Sequence, residues 1–273
     1  MPANRFAWPE TATWPPIPVE AFPATLASLM DTAGPVWFWC LDIDGTLVEI
    51  APTPDAIRVP PTLLADLADL AGSPRHRVAL VTGRSLDDAR PRFPLPPAVA
   101  MVGSHGAEWL LDGVRATDPR TQPARAALVR TADRFRQLSR EFPGTVFEDK
   151  RYSLSLHYRS LDPDREPGLK AAVEESVQDE PAISLLASKK CWDARIAGGP
   201  TKADGIARLL RTHPDPPRLL IFGDDLTDEN AFLAFPQALT VRVGPGVSAA
   251  RFRLPDPPAV RELVAAMAHL AVR

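Results

Sequence analysis

Cysteine and long apolar runs are both scarce in this chain of 273 residues. Its two cysteines, Cys40 and Cys191, are too few to form a disulfide framework or a zinc cluster, and we interpret both as buried thiols. No apolar run approaches the length that spans a membrane. Residues 1–35 contain tryptophan and proline but lack the basic segment and apolar core of a secretory signal. We therefore expect a cytoplasmic protein that has no membrane partner.

An excess of charge of one sign is also missing. The chain has 31 Lys and Arg residues against 34 Asp and Glu residues, and its formal net charge is −3. A balanced chain without a long basic stripe offers no electrostatic footprint for nucleic acid, although a local basic pocket could still bind an anionic metabolite. We therefore expect a small-molecule partner and no nucleic-acid partner. The composition leaves the oligomeric state open, with a monomer as one option.

One stretch organises the chain, an apolar run that ends in two carboxylates. Residues 36–41 are continuously apolar, which is typical of a central strand in a parallel sheet covered on both faces. Asp42 and Asp44 follow, and because open α/β sheets bind ligands beyond the carboxyl ends of their strands, we expect both at the mouth of a crevice. Two carboxylates so close repel each other without a cation or a shared proton, so they indicate a metal site or an acid/base pair. A solvated turn has the same residue types and stays an alternative.

A second strand end carries hydroxyl and basic groups. The predicted strand 77–81 is followed by Thr82, Gly83 and Arg84. The Thr82 hydroxyl and the backbone amides that open the next helix could bind a phosphate, or the hydroxyl could simply cap that helix. A strand, a helix and a second strand in this order along the chain predict two parallel strands joined by a right-handed crossover.

A lysine and a second acidic cluster occupy similar positions later in the chain. Lys202 lies in the first turn of a predicted helix, where the helix dipole disfavours a cation, so it needs a neighbouring anion unless it reaches solvent. The predicted strand 218–222 is followed by Asp224, and Asp228 lies about one helical turn further on. Acidic clusters on two strands that a doubly wound sheet makes adjacent supply the oxygen ligands that Mg²⁺ requires.

The pattern of predicted elements changes in the middle of the chain. Helix, strands, helix and strands follow each other there, which favours a small α+β domain inserted into a doubly wound core. We expect an amino-terminal arm with a short helix at 1–35, a core formed by 36–117 and 198–273, and a cap at 118–197. A cap excludes water from the crevice and contacts the group that leaves.

Further polar residues lie in a loop of the core and in the cap. His105 lies between glycines, and because a histidine there is more often a loop residue than a catalyst, we expect it to shape the crevice. Glu148 and Lys150 belong to a charged run that would by default be a solvated turn. The strand after it alternates between polar and apolar residues, so its polar face could meet a hydroxyl-rich ligand. That face holds Ser153, Ser155, His157 and Arg159.

The order of these motifs resembles that of the haloacid dehalogenase-like phosphatases. The matching motifs are Asp-x-Asp-Gly-Thr at 42–46, Thr-Gly-Arg at 82–84, Lys202, and Gly-Asp-Asp-x-x-Asp at 223–228. Within that superfamily, the stretches 103–108, 148–150, 157–159 and 223–232 are similar to the trehalose-6-phosphate phosphatases. The resemblance runs from Val36 to the carboxyl end. It implies an α/β fold in which a doubly wound, Rossmann-like parallel sheet carries an inserted α+β cap.

The resemblance also implies an activity and a role for each motif residue. The activity is Mg²⁺-dependent hydrolysis of trehalose 6-phosphate through an aspartyl-phosphate intermediate. Asp42 would attack phosphorus, Asp44 would protonate the departing sugar oxygen and then activate water, Lys202 would neutralise charge, and Thr82 would orient the phosphoryl oxygens. The implied Mg²⁺ ligands are Asp42, Asp44 through its carbonyl group, and Asp224, with Asp228 either as a further ligand or as a residue that supports the ligands. The implied substrate-binding residues are Gly83, Arg84, His105, Glu148, Lys150, Arg159 and Asp193.

The chain departs from the family pattern near the end of the predicted cap. Where the family has Glu followed by a basic residue and Pro, this chain has Asp193, Ala194, Arg195 and Ile196. Because one missing hydroxyl contact can change discrimination by orders of magnitude, a related glycosyl phosphate such as glucosylglycerol phosphate or sucrose 6-phosphate stays an alternative substrate. A non-catalytic sugar-phosphate-binding regulator and a phosphomutase with the same core are further alternatives. The intact acidic pair at 42 and 44 favours an enzyme.

Overall fold

The computed structural model describes residues 36–188, 190–212 and 217–271. The predicted arm and its short helix lie outside these described residues. Over the same ranges, no helix has both the length and the apolar character needed to span a membrane.

Two β-sheets form the framework of the described part of the chain. The larger sheet has eight strands in the order β12-β11-β10-β1-β2-β3-β4-β5, and the smaller has four in the order β6-β7-β9-β8. The strands are β1 (Trp37–Leu41), β2 (His76–Val81), β3 (Val99–Gly103), β4 (Glu108–Leu111), β5 (Val114–Thr117), β6 (Val146–Asp149), β7 (Ser153–His157), β8 (Ile183–Ser188), β9 (Cys191–Ile196), β10 (Arg218–Gly223), β11 (Leu239–Val243) and β12 (Phe252–Leu254).

Seven α-helices accompany the sheets in the described ranges. They are α1 (Pro61–Gly72), α2 (Leu86–Arg92), α3 (Arg125–Glu141), α4 (Glu166–Val177), α5 (Lys202–Leu210), α6 (Leu226–Ala234) and α7 (Pro257–Ala271). The larger sheet is parallel from β12 to β3 and antiparallel from β3 to β5. Its order reverses at β1, since β10 lies on one side of β1 and β2 on the other. The predicted doubly wound topology is thereby confirmed.

The alternating side chains of β1 divide the main core into two layers. Trp39 and Leu41 pack in one buried cluster with residues of α1 and α7. Phe38 and Cys40 pack in a second cluster with residues of α5 and α6. Every residue of β1 is buried because helices cover both faces of the sheet at its centre, as expected for a parallel strand. Burial on both faces of the sheet accounts for the continuous apolar run in the sequence.

The smaller sheet lies within the segment predicted to form the cap, and it is antiparallel throughout. Leu154 and Leu156 face a third apolar cluster that contains Phe135 of α3 and Val173 of α4. Ser155 lies on the opposite face, and its hydroxyl donates a hydrogen bond to Asp193 of β9. One face of this sheet is therefore apolar and covered by helices, while the other is polar, and the prediction of an α+β cap is confirmed.

Two turns beside the sheets differ in structure. Asp112 and Gly113 have positive φ angles of 50° and 78° and connect the antiparallel strands β4 and β5, the conformation for which Asp-Gly is favoured in hairpins. The default interpretation of 147–151 as a charged turn was wrong in part, because Glu148 lies in β6 and is paired with Ser155. Pairing with β7 supplies the backbone partners that a solvated turn would have found in water.

Candidate active site

The strand order brings three motif-bearing strand ends side by side. β1 lies between β10 and β2, so Asp42, Thr82 and Asp224 follow neighbouring strands. The Asp42 amide donates to the Phe222 carbonyl at 3.1 Å, which extends the parallel pairing up to the first carboxylate. Gly45 then turns the chain with a φ of +80°, and a Cβ atom there would overlap the Asp224 carboxylate. The close approach of these two loops therefore requires glycine at 45.

Lys202 is buried among carboxylates. Its Nζ lies 2.9 Å from Asp42 Oδ1 and 2.7 Å from Asp228 Oδ1, and the residue is only 2% exposed. Thr201 places it, because this residue caps α5 and forms a reciprocal capping box with Asp204, so Lys202 begins the helix. The anion that the helix dipole requires is thus provided by two aspartates, and Lys202 does not reach solvent.

Asp42, Asp224 and Asp228 offer oxygen atoms that all lie within 4.8 Å of one another. Burial raises the pKa of Asp42 to about 7, with Lys202 opposing this rise and the charges of Asp225 and Asp224 adding to it. Burial also raises the pKa of Asp228 well above its usual range. A cluster of buried oxygen donors that is short of positive charge fits a hard divalent cation such as Mg²⁺.

The oxygens of Asp228 are already used by the protein. Oδ1 accepts from Lys202 Nζ, and Oδ2 accepts from the backbone amides of Asp224 and Asp225, each at 3.1 Å. Asp225 caps α6 in return, because its Oδ1 accepts from the amides of Thr227 and Asp228. Asp228 therefore holds the loop that carries Asp224 and orients Lys202 at the same time.

The Asp44 side chain points to an arginine. Arg84 donates from Nε and Nη2 to the two carboxylate oxygens of Asp44, both at 2.7 Å, and also contacts Asp88. Arg84 is 5% exposed. We expected it among the substrate-binding residues, and the structure shows it holding the acidic residue next to the proposed nucleophile.

His105 lies against the loop that follows β2. A Cβ atom at Gly83 would overlap the His105 ring, so this contact requires glycine there. Ser104 and His105 both have left-handed backbone conformations, with φ of 48° and 54°, which are strained for residues other than glycine. The amide of His105 donates to the Thr82 carbonyl at 3.0 Å and anchors the strained turn. Burial, together with the positive charges of Arg195, Lys202 and Lys150, lowers the pKa of His105 well below its usual range, so the ring is neutral.

The polar face of the smaller sheet forms the opposite side of the site. Glu148 Oε2 lies 3.0 Å from His157 Nε2 and 3.6 Å from Lys150 Nζ. The Arg159 side chain extends toward the larger sheet. It donates from Nη1 to the carbonyl of Ala51, in the loop that follows β1, at 3.4 Å. Asp193 Oδ1 accepts from Ser155 Oγ at 2.5 Å, so its carboxylate is at least partly engaged inside the cap.

A cavity of about 380 Å³ lies between the two sheets and collects these residues. We call the side formed by the loops of the larger sheet, with Asp42, Asp44, Thr82, Lys202 and Asp224, the core wall, and the side formed by β6, β7 and β9 the cap wall. All the predicted site residues line the cavity except Asp228, which lies behind the core wall. The size suits a small-molecule ligand.

Several residues that line this cavity had no predicted site role. Asp225 and Arg195 are the charged examples of greatest interest, and Arg242 and the loop 50–53 also contribute. Asp225 stood in the second acidic cluster, so its neighbours were a signal. Arg195 shares a face of β9 with Asp193, two residues away, and strand periodicity applied to β9 would have found it.

Comparisons with known proteins agree with one another. The family model described as trehalose-phosphatase matches residues 40–253. A probable trehalose-phosphate phosphatase of Sinorhizobium fredii is 35% identical, with 93% of this chain and 94% of the relative covered. The trehalose-6-phosphate phosphatase of Escherichia coli is 33% identical, with 81% and 83% covered. A solved structure described as a trehalose-6-phosphate phosphatase related protein superposes with a TM-score of 0.77 at 28% identity, over 86% of this chain and 98% of that one.

Proposed function

The chain belongs to the trehalose-phosphatase family, and from that premise we propose that it hydrolyses trehalose 6-phosphate to trehalose and inorganic phosphate. The observation that carries this proposal is the pairing of Lys202 with Asp42 and Asp228 at the floor of a cavity whose opposite wall is polar. One wall then handles a phosphate dianion, and the other meets the hydroxyl groups of a sugar. We further propose that the cap comprises residues 118–197 and the core residues 36–117 and 198–273.

Asp42 is the proposed nucleophile. One of its carboxylate oxygens forms a bond to phosphorus while the bond between phosphorus and the sugar oxygen breaks, which gives an aspartyl phosphate. Asp44 acts here in its protonated form, which requires that one of its two hydrogen bonds with Arg84 be given up, and it transfers this proton to the departing sugar oxygen. Asp44 then accepts a proton from the water that attacks phosphorus, the bond between Asp42 and phosphorus breaks, and inorganic phosphate leaves. Arg84 holds the Asp44 carboxylate at the edge of the cavity through two hydrogen bonds.

Asp42, Asp224 and the carbonyl of Asp44 are the proposed ligands of Mg²⁺, and Asp228 positions Asp224 and Lys202. When bound, the ion supplies positive charge that offsets the carboxylates and the phosphate dianion. Lys202 adds a fixed cation beside Asp42. The Thr82 hydroxyl orients a phosphoryl oxygen, and in the structure it accepts from the Arg84 amide at 3.1 Å, which leaves its proton free to donate.

The cap residues Glu148, Lys150 and Arg159 are the proposed sugar contacts. Glu148 is held by His157, and the half-buried Lys150 lies 3.6 Å from it, so both present polar groups to the cavity. The shorter Asp193 favours a second candidate, a phosphatase for a related glycosyl phosphate, because its Oδ1 bonds to Ser155 instead of extending toward the ligand.

Release of inorganic phosphate from a panel of substrates tests the proposal. The panel contains trehalose 6-phosphate, sucrose 6-phosphate, glucosylglycerol phosphate and glucose 6-phosphate, each with Mg²⁺ and with a chelator. We expect Mg²⁺-dependent turnover with trehalose 6-phosphate preferred. Preference for another member would move the substrate and keep the chemistry, whereas no turnover on any member would favour a sugar-phosphate-binding regulator.

A further inference from the structure

Three buried polar atoms of the described residues have no hydrogen-bond partner and lie where the cap meets the core. They are Nε of Arg195, Oγ of Ser153 and Nδ1 of His105. Arg195 and Ser153 are cross-strand partners on one face of the cap sheet. Ser104, beside His105, donates to the carbonyl of Lys150 at 3.3 Å, and Lys150 begins the turn that leads to Ser153. The three atoms therefore border one polar junction.

We infer that Arg195 binds the phosphoryl group of the substrate from the cap side. The inference rests on the proposed function, since it concerns a ligand of the same cavity. Buried polar atoms without partners are rare in folded proteins, so an unused Nε–H at a cavity wall indicates a missing ligand or water. The planar fork of an arginine matches the oxygen atoms of a phosphate.

The charge of the core wall explains why a cation from the cap is needed. Five aspartates lie on this wall or directly behind it, and the two cations among them are both engaged, Lys202 by Asp42 and Asp228, and Arg84 by Asp44 and Asp88. The aspartates are Asp42, Asp44, Asp224, Asp225 and Asp228. One divalent ion would leave this wall negative before a phosphate dianion enters. Arg195 adds positive charge that no carboxylate of the core wall already neutralises among the described contacts.

The path of the chain brings Arg195 to the side of the cavity where the phosphoryl group is expected. β9 ends one residue after Arg195, the chain turns through Gly198 at a φ of +63°, and Lys202 begins α5. Arg195 and Lys202 both line the cavity. Arg195 also makes the largest charge contribution to the lowered pKa of His105, whose ring lies against the loop that follows Thr82. Arg195 and His105 line the same cavity as Thr82 and Gly83 at the end of β2.

Asp193 acts on Arg195 as a positioning residue. Its Oδ2 lies 3.4 Å from Arg195 Nη2, while its Oδ1 accepts from Ser155. Because this contact is long, it orients the guanidinium but leaves its N–H groups able to donate to a ligand. The departure of this chain from Glu to Asp at position 193 therefore sets the reach of Arg195.

Isothermal titration calorimetry of Arg195→Met with two probes tests the inference. The probes are inorganic phosphate in the presence of Mg²⁺, and trehalose, which carries no phosphate. We expect the dissociation constant for phosphate to rise about tenfold or more, because a charge-assisted contact is lost, while that for trehalose changes less than about twofold. Arg195→Lys, which keeps the charge and loses the fork, should lie between wild type and Arg195→Met.

Matched controls separate this result from misfolding and from failure of the proposed function. Lys170→Met removes an exposed cap cation paired only loosely with Glu174, and its phosphate binding should equal wild type. Thermal melting of each variant reports folding. Unchanged phosphate binding in Arg195→Met, or weakened trehalose binding with phosphate unaffected, would overturn the inference. Absence of turnover on trehalose 6-phosphate by wild type would instead refute the proposed function, and phosphate binding would still test Arg195.

Discussion

The core wall and the cap wall of the cavity use charged residues differently. On the core wall, Lys202 lies within 3 Å of two aspartates, and Arg84 binds Asp44 through two bonds of 2.7 Å. On the cap wall the cations have longer contacts, 3.6 Å between Lys150 and Glu148 and 3.4 Å between Arg195 and Asp193. The core wall is therefore held in a fixed arrangement by its own charges, whereas the cap wall keeps donors for a ligand.

This difference matches the two tasks that the proposed reaction requires. Attack on phosphorus needs a nucleophile, a cation and a proton donor in fixed positions before substrate arrives. Recognition of the sugar, and of the phosphoryl group by Arg195, needs polar groups whose hydrogen bonds are completed by the ligand. Substitutions on the core wall should therefore affect chemistry and stability, and substitutions on the cap wall should affect binding.

The largest effect is expected from Asp42→Asn. The change keeps the shape of the side chain and removes the nucleophile, so kcat should fall at least about 10⁴-fold. Phosphate release under saturating substrate measures it. Asp69→Asn, an exposed position on α1, is the matched control and should retain full activity. Activity surviving in Asp42→Asn would mean that another group attacks phosphorus.

Lys202→Met tests whether the core wall is held by its own charges. Removing the lysine leaves Asp42 and Asp228 buried without their cation, so the free energy of unfolding without Mg²⁺ should fall by about 3 to 5 kcal/mol. Mg²⁺ should restore part of this loss because it binds the same carboxylates. Urea unfolding with and without Mg²⁺ provides the measurement, with Lys170→Met as control. An unchanged free energy of unfolding would contradict the conclusion that the core wall is held in place by its own charges.

The core wall was also the easier one to predict from sequence. Asp42, Thr82 and Asp224 follow the ends of parallel strands, and strands adjacent in a doubly wound sheet bring such ends together whatever the side chains do. The partner of Asp44 could not be predicted in this way. Arg84 was read as a ligand for substrate, and its pairing depends on the direction of one long side chain 40 residues away.

The cap wall depended on information that the sequence expresses weakly. Glu148 was expected in a turn by default because charged runs are usually solvated, and only the pairing of β6 with β7 directs it into the cavity. Arg195 opposes Ser153 because β7 and β9 pair in one particular register. A shift of one residue would turn both side chains to the other face, so register decides which of them can meet a ligand.

His76 offers a contrasting way to bury a titratable group at the opposite end of β1. It is 7% exposed, its Nδ1 accepts from Trp39 Nε1 at 3.2 Å, and burial lowers its pKa to about 4. The folded state therefore keeps the ring neutral while the unfolded state takes up a proton below about pH 6.5. Stability should fall as pH decreases through this window, by about 2 kcal/mol at pH 5 from this residue.

His76→Gln measures that contribution, because glutamine retains an acceptor for Trp39 and does not titrate. Urea unfolding at pH 7 and pH 5 should show a smaller loss of stability in the variant than in wild type. Equal losses would mean that His76 is protonated in the folded state, and that charged groups are tolerated in this core without the ion pairs that the core wall uses.

The smallest effect, and the sharpest test of the cap wall, is expected from Glu148→Gln. The change keeps the shape of the side chain but weakens its contacts with His157 and Lys150, so an anionic acceptor for sugar hydroxyls is lost. KM for the preferred sugar phosphate should rise about tenfold with kcat nearly unchanged, because charge-assisted hydrogen bonds contribute about that much to binding. Glu174→Gln, exposed on α4, should behave as wild type. A fall in kcat at unchanged KM would assign Glu148 to the chemical step, and the division of labour between the two walls would then be wrong.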